Sequence, residues 1–430
     1  MSIMDWKSEF VDRIVSAQEA VRCIKSGDRV VIGHACGEPC TLVDAMVERA
    51  PELENVEINH MVAMGSAKYC QPGMEKSFHH NAFFLGPSTR KASNEGRVGF
   101  IPGSLFDVGK YFSDGYLPVD VTLIQVSPPD ENGQCSFGIS VDFTEPAARV
   151  AKTVIAQINN NMPRTYGSSI ALSDIDWIVL EDAPILELQP PTIGQVEEAI
   201  GRNIAALIPD GATIQLGIGA IPAAVLNFLK DKKDLGIHTE MFSDGVVELA
   251  KAGVINNRKK TLHPGKFVAT FLMGTKKLYD FVDNNPNVLM CPATFTNDPF
   301  IISQNDLMIC INSAIQIDLM GQVNGEMIGP KQFSGSGGQV DFIRGAWRSK
   351  GGKSIIAFPS TASKGTKSRI VFRLDEGSAV TTLRSDIHYV VTEYGVAQLR
   401  GKTLKQRAKA LIDIAHPDFR DKLEIEMKNI

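Results

Sequence analysis

One stretch of this 430-residue chain is written twice. Ile24-Lys-Ser-Gly27-Asp-Arg-Val-Val-Ile-Gly33-His-Ala-Cys-Gly-Glu-Pro39 leads into Leu42-Val-Asp-Ala-Met-Val. Leu207-Ile-Pro-Asp-Gly211-Ala-Thr-Ile-Gln-Leu-Gly217-Ile-Gly-Ala-Ile-Pro222 leads into Ala224-Val-Leu-Asn-Phe-Leu. Gly27 and Gly211 stand 184 residues apart (211 − 27), and so do Gly33 and Gly217 (217 − 33). Each stretch reads as a glycine turn, a β-branched strand, a glycine bend and a new apolar-periodic helix. A second strand follows in both, Val56 to Val62 and Gly236 to Phe242. Strands alternating with helices build parallel sheets covered on both faces. The expected class is therefore α/β, as two duplicated open parallel-sheet domains.

Length supports the duplication, because one hydrophobic core seldom serves so long a chain. Further strands are predicted at Val119–Val126, Trp177–Leu180, Phe267–Leu272, Leu307–Ile311, Ser354–Phe358 and Tyr389–Thr392. The segment Leu188-Gln-Pro-Pro-Thr-Ile-Gly194 is the linker, with two prolines ahead of an acidic helix start. It divides the chain into residues 1–190 and 191–430. The C-terminal stretch from Leu404 to Ile430 is amphipathic and reads as helix packed on a core.

A net charge of −5 gives no electrostatic reason to expect nucleic acid or an anionic membrane as partner. No apolar run approaches the ~20 residues that span a bilayer. The first ten residues, Met1 to Phe10, lack the basic start and apolar core of a signal peptide. Seven cysteines, an odd number spread through apolar segments, read as free thiols in a reducing compartment, so the expected location is cytoplasmic.

Several common α/β chemistries are missing. The chain has no G-x-x-x-x-G-K-[ST] loop, no G-x-S-x-G elbow and no H-E-x-x-H helix. Gly217-Ile-Gly219-Ala-Ile-Pro222 begins like a dinucleotide fingerprint but has proline where the third glycine belongs. His79-His80 would point to opposite faces of one strand, so no metal site is expected. Cys36 and Cys40 flank a bend near His34, a setting for a thiol nucleophile. Free cysteines more often behave as small buried hydrophobes, and that reading is kept.

Two glycine turns remain, Gln215-Leu-Gly217-Ile-Gly219-Ala-Ile-Pro222 and Gln332-Phe-Ser334-Gly335-Ser-Gly337-Gly338-Gln-Val-Asp341. Most glycine clusters are only turns. Stripped backbone amides can also form an anion nest, and a helix opening near Ile221 would add its positive end. Glu240 is expected just past a strand, where open parallel sheets collect ligands, followed by a turn at Ser243-Asp-Gly245.

With these motifs the chain resembles the acetyl-CoA hydrolase/transferase family, and within it the 4-hydroxybutyrate CoA-transferases. The likeness rests on the first glycine turn paired with Leu235-Gly-Ile-His-Thr-Glu240-Met-Phe-Ser-Asp-Gly245, and on the second glycine turn. Val126-Ser-Pro-Pro-Asp-Glu-Asn-Gly133, Phe271-Leu-Met-Gly-Thr-Lys276 and Val391-Thr-Glu-Tyr-Gly395 complete it. The resemblance implies domains of the NagB/RpiA/CoA-transferase type, with Glu240 as nucleophile. It implies CoA contacts at Gln215, Gly217, Ile218, Gly219, Ala220 and Ile221, and again at Ser334, Gly337, Gly338 and Lys364. Asn312 and Glu393 match polar residues of the cleft. It further implies a homo-oligomer, a dimer or dimer-based assembly, with CoA as a substrate and no tightly bound cofactor. The first domain departs from the 4-hydroxybutyrate enzymes around Lys68 to Arg90, which leaves the acyl preference open.

A carboxylate of ordinary pKa near 4.3 is ionised at neutral pH and needs no activating base. Attack on an acyl-CoA gives an acyl-glutamyl anhydride and CoA thiolate; the thiolate then gives a glutamyl-CoA thioester and free acid. The expected function is transfer of CoA between acetyl-CoA and a short acid, 4-hydroxybutyrate foremost. Butyryl-CoA:acetate transfer and acetyl-CoA hydrolysis are alternatives on the same site. A non-catalytic CoA-binding protein is the reading outside enzymology.

Overall fold

The structure, a computed structural model, describes residues 6–428. Met1 to Asp5 of the N-terminal stretch and the last two residues of the C-terminal one lie outside the described residues. The chain forms two compact units. The first ends at Leu188 and regains Ala269–Phe295; the second holds Gln189–Val268 and Thr296–Ile430.

Seven strands make the first sheet: β1 Arg29–Ile32, β2 Val56–His60, β3 Phe78–Ala82, β4 Val98–Phe100, β5 Val121–Val126, β6 Thr153–Ile158 and β7 Trp177–Leu180. Their order is β7-β6-β5-β1-β2-β3-β4, and every pairing is parallel. All six residues of β5 are buried, as a central strand covered on both faces requires. The helix α1, Cys40–Glu48, buries Leu42, Val43, Ala45, Met46 and Val47 against this sheet's core. His79 is exposed and His80 buried, so neighbours on β3 do face opposite ways.

The second sheet contains β8 Thr213–Leu216, β9 Gly236–Ile237, β11 Met308–Asn312, β12 Lys353–Ala357, β13 Tyr389–Thr392 and β14 Gly395–Gln398. The order β9-β8-β11-β12-β13-β14 is parallel except for the closing β13–β14 hairpin. A two-residue strand, β10 Met241–Phe242, follows β9 after a break. Helices α2 Gln195–Ala205, α3 Ala220–Asn227, α4 Asp244–Lys251 and α5 Gln339–Arg348 belong to this unit. Gly201 lets α2 approach α3 closely, since a Cβ there would lie 2.8 Å from the Ala224 carbonyl carbon. The C-terminal helices α6 Leu404–Asp413 and α7 Pro417–Met427 bury Leu411, Ile412 and Leu423 in the core with Met308, Ile356 and Val390.

Three expectations need correction. A single division at residue 190 misses Ala269–Phe295, which returns to the first unit. Backbone bonds explain the return: Val141 N–H donates to Thr270 O at 3.0 Å, Leu272 N–H to Ile139 O at 2.9 Å and Ala293 N–H to Asp142 O at 3.0 Å. The strand predicted over Gly236–Phe242 is broken at Thr239 and Glu240. There the Thr239 hydroxyl donates to Met241 O at 2.8 Å, a local bond that competes with the sheet ladder. The turn expected at Ser243–Gly245 is instead the start of α4, with Ser243 as its N-cap.

Candidate active site

Each sheet reverses its strand order beside its first strand, and in the second unit this happens between β8 and β11. Open α/β sheets bind ligands at the carboxyl ends of such a pair. β8 is buried throughout and delivers the chain to Gly217. Gly219 then caps α3 with φ +108° and ψ −178°, a region essentially reserved for glycine. Ile218 between them is 47% exposed.

A cleft of about 290 Å³ opens there, lined by Gly217 to Pro222 on one side and Ile311, Asn312 and Ser313 on the other. Asn312 ends β11 and exchanges amide bonds with buried Gln215, at 3.2 Å and 3.4 Å. Of the residues expected to meet CoA, Gly217, Ile218, Gly219, Ala220 and Ile221 are thus gathered around one opening with Asn312, while Gln215 supports it from below.

Glu240 sits in the bend between β9 and β10, half-buried. It does not line that cleft. The fully buried Asn297, in the turn before the short helix Pro299–Ile302, donates its Nδ2–H to Glu240 Oε2 at 3.0 Å. Asn297 Nδ2 also reaches Oδ2 of buried Asp341 at 3.3 Å. The same Glu240 oxygen abuts Gly338, the N-cap of α5, so a Cβ at 338 would overlap both Glu240 and Asn297. Its φ of −90° shows that room, and not backbone conformation, requires glycine. The positive end of α5 therefore faces a carboxylate.

Two buried side chains hold the bend itself. Thr239 Oγ1 accepts from Leu216 N–H at 3.4 Å, tying the bend to the end of β8. His238 Nε2 meets the carbonyl of Thr296 at 2.9 Å, and Asn305 Nδ2 meets Nδ1 at 3.3 Å. A carbonyl accepts only, so Nε2 carries the hydrogen. Complete burial, with nearby Lys260, pushes His238 down to about 3, and the ring stays neutral.

The other expected residues do not line the cleft at Gly217. The Ser334 hydroxyl turns to Gly325 O at 3.5 Å, and its N–H goes to Glu326 O at 3.1 Å. Gly337 takes φ +52° in the approach to α5. Lys364 occupies the exposed tip of a hairpin between Thr361–Ala362 and Lys367–Ser368. Glu393, in the β13–β14 turn, accepts from Ser360 N–H at 2.9 Å and Ser360 Oγ at 2.6 Å. Burial raises the Cys36 thiol to about 11 and Cys40 to about 12, and all seven cysteines are free. A protonated thiol is a poor nucleophile, which agrees with the packing role.

Sequence reasoning missed Asn297 and Asp341 as site residues. Nothing local marks Asn297, although Asp341 closed the second glycine motif and could have been weighed as more than a helix-start acid.

Family models match the acetyl-CoA hydrolase/transferase N-terminal domain over residues 1–188 and the C-terminal domain over residues 274–427. The 4-hydroxybutyrate coenzyme A transferase of Clostridium kluyveri is 60% identical over 426 residues, 99% of each chain. The solved 4-hydroxybutyrate CoA-transferase of Porphyromonas gingivalis has TM-score 0.86 at 45% identity, covering 99% of this chain and 100% of its own. RipA from Yersinia pestis has TM-score 0.94 at 36% identity, covering 99% of both. Among the described residues, no helix is long and apolar enough to cross a membrane.

Proposed function

This chain belongs to the acetyl-CoA hydrolase/transferase family, and we propose that it transfers CoA between acetyl-CoA and a short carboxylic acid, 4-hydroxybutyrate foremost, through a thioester on Glu240. The 60% identity to a transferase of that name supports the choice of acid. The observation that carries the reading is the Asn297 amide, 3.0 Å from Oε2 of a half-buried glutamate at the N-terminus of α5. Butyrate is the next acid to try.

In this reading Glu240 Oε1 attacks the acetyl carbonyl carbon. The C–S bond breaks, CoA leaves as thiolate, and an acetyl-glutamyl anhydride forms. The thiolate adds to the glutamyl carbonyl carbon, acetate departs with the bridging oxygen, and the glutamyl-CoA thioester remains. An incoming carboxylate reverses both steps and leaves as the new acyl-CoA. Oε2 stays on the glutamyl carbon throughout and bears the negative charge of its tetrahedral state. A preorganised donor there is worth roughly 3–4 kcal/mol in comparable sites. The open cleft beside Gly217 and Gly219 suits a thin pantetheine chain, and its exposed Ile218 offers apolar contact. The reading carries with it a homo-oligomeric assembly and a cytoplasmic location, both taken from the sequence.

Incubation with acetyl-CoA alone is expected to leave an adduct of CoA mass on Glu240, found by mass spectrometry and removed by borohydride. Glu240→Ala should form no adduct and transfer no CoA to 4-hydroxybutyrate; full transfer by that variant would overturn the assignment. CoA release from acetyl-CoA without an acceptor acid would instead indicate hydrolysis.

A further inference from the structure

The buried Asn297 amide is asymmetric. Its Nδ2 serves two carboxylates, Glu240 at 3.0 Å and Asp341 at 3.3 Å, while its Oδ1 is buried with no partner among the described residues. Turned over, the amide would point Oδ1 at Glu240, and its one donor group would be lost to the reacting carbon. In the resting state Glu240 prevents this by its own charge. That charge disappears once Glu240 becomes an anhydride or a thioester, and it returns on Oε2 only in the tetrahedral state. Asp341 makes and breaks no bond, so its hold on Nδ2 does not lapse when Glu240 becomes neutral.

We propose that Asp341 is a positioning residue, which acts through Asn297 to keep an N–H aimed at Glu240 Oε2 while Glu240 is acylated. The inference rests on Glu240 being the covalent carrier. A second hold comes from the backbone side. His238, two residues before Glu240, donates from Nε2 to the carbonyl of Thr296, the residue before Asn297. The segment bearing the nucleophile is thereby bonded to the peptide bearing its amide partner. Asn305 fixes the ring from the other edge, at 3.3 Å. The neutral ring, resistant to protonation through burial, keeps this bond across the working pH range.

The test is single-turnover formation of the Glu240–CoA adduct from acetyl-CoA, with CoA affinity and Tm measured beside it. Asp341→Asn keeps the shape but removes the charge, and its own amide can donate to Asn297 Oδ1 and favour the reversed orientation. Adduct formation should slow on the order of 10²-fold, the loss that misplacement near 1 Å can cause, with CoA affinity and Tm unchanged. A wild-type rate in Asp341→Asn would overturn the proposal, and so would a loss matched by falls in affinity and Tm. If Asp341→Asn does not fold, Asp341→Ala supplies the second arm: it removes the hold on Asn297 Nδ2, so adduct formation should slow while CoA affinity is kept, and a wild-type rate would overturn the proposal. Absence of any adduct in the wild-type protein would count against the Glu240 reading itself, which separates the two failures.

Discussion

The two halves put the same turn at the same place and use it oppositely. After β1 the chain passes Gly33, Ala35 and Gly37 and is packed shut. A Cβ on Gly37 would lie 2.5 Å from the Ser140 Cβ, and one on Gly33 would be 3.4 Å from the Gly37 carbonyl oxygen. Glu38 turns inward and accepts from Gly65 N–H at 2.8 Å and Met64 N–H at 3.0 Å. After β8 the chain passes Gly217 and Gly219, and a Cβ on either would meet nothing within 4 Å. Both turns stand where sheet order reverses, so topology offers a crevice in each unit. Side chains decide the outcome: Cys36 and Glu38 are buried in the first turn, and the second presents only Gly217, Ile218, Gly219 and Ala220. A duplicated fold has packed one crevice shut and left the other open.

Substitutions can break that contrast from either side. The largest effect is expected at Gly338, beneath Glu240. Gly338→Ala drives a methyl group into the Glu240 and Asn297 side chains, and kcat for CoA transfer should fall about 10²-fold. Steady-state assays with acetyl-CoA and 4-hydroxybutyrate check this; an unimpaired enzyme would mean that the carboxylate works from another position. Next comes Gly37→Ala in the closed turn, an overpacking change that should cost about 1–3 kcal/mol of stability in urea unfolding. Its counterpart in the open turn, Gly217→Ala, has space to spare and should stay within about 0.5 kcal/mol. If both cost the same, the two turns do not differ in packing as described.

A separate effect concerns pH, where the buried polar groups do not all pull one way. Burial lowers His60, takes His80 down to about 4 and His238 to about 3. The unfolded chain binds protons at these three residues below about pH 6.5 while the folded chain refuses them, so stability falls as pH drops from there toward 4. Glu38 opposes this, since burial raises it from 4.5 to about 7 and the folded chain keeps a proton the unfolded one has released. Three histidines outweigh one glutamate, each refused proton counting for about 1.4 kcal/mol per pH unit. The urea midpoint should therefore be lower at about pH 5 than at about pH 7; a flat profile would mean that the histidines find new partners on protonation.

Much of the frame could be read from residue order. The strand predicted at Val119–Val126 forms over Val121–Val126, and that at Tyr389–Thr392 forms over those same residues. β-branched runs bounded by glycine leave little choice of local structure. The cleft at Gly217 followed from the same signals, because a glycine bend after a central strand marks the end of a sheet. Glu240 was reached through its motif neighbours and does lie past β9, but in a bend, because the strand expected to run on to Phe242 stops at Ile237 and β10 belongs to another sheet. Periodicity could not reveal this, since the break depends on a hydroxyl bond of Thr239 and on where β8 ends.

The sequence by itself determined an α/β chain with two parallel sheets, two glycine turns and a glutamate near the second unit's open edge. These follow from alternation, β-branching and glycine, which act over a few residues. Only the tertiary structure decided which polar groups meet that glutamate. Asn297 and Asp341 reach it from 57 and 44 positions away in successive links, Glu240 to Asn297 and Asn297 to Asp341. It alone decided, too, that Ala269–Phe295 returns to the first unit. Such meetings depend on strand order and on which ends of distant elements coincide, and no local pattern in the chain records them.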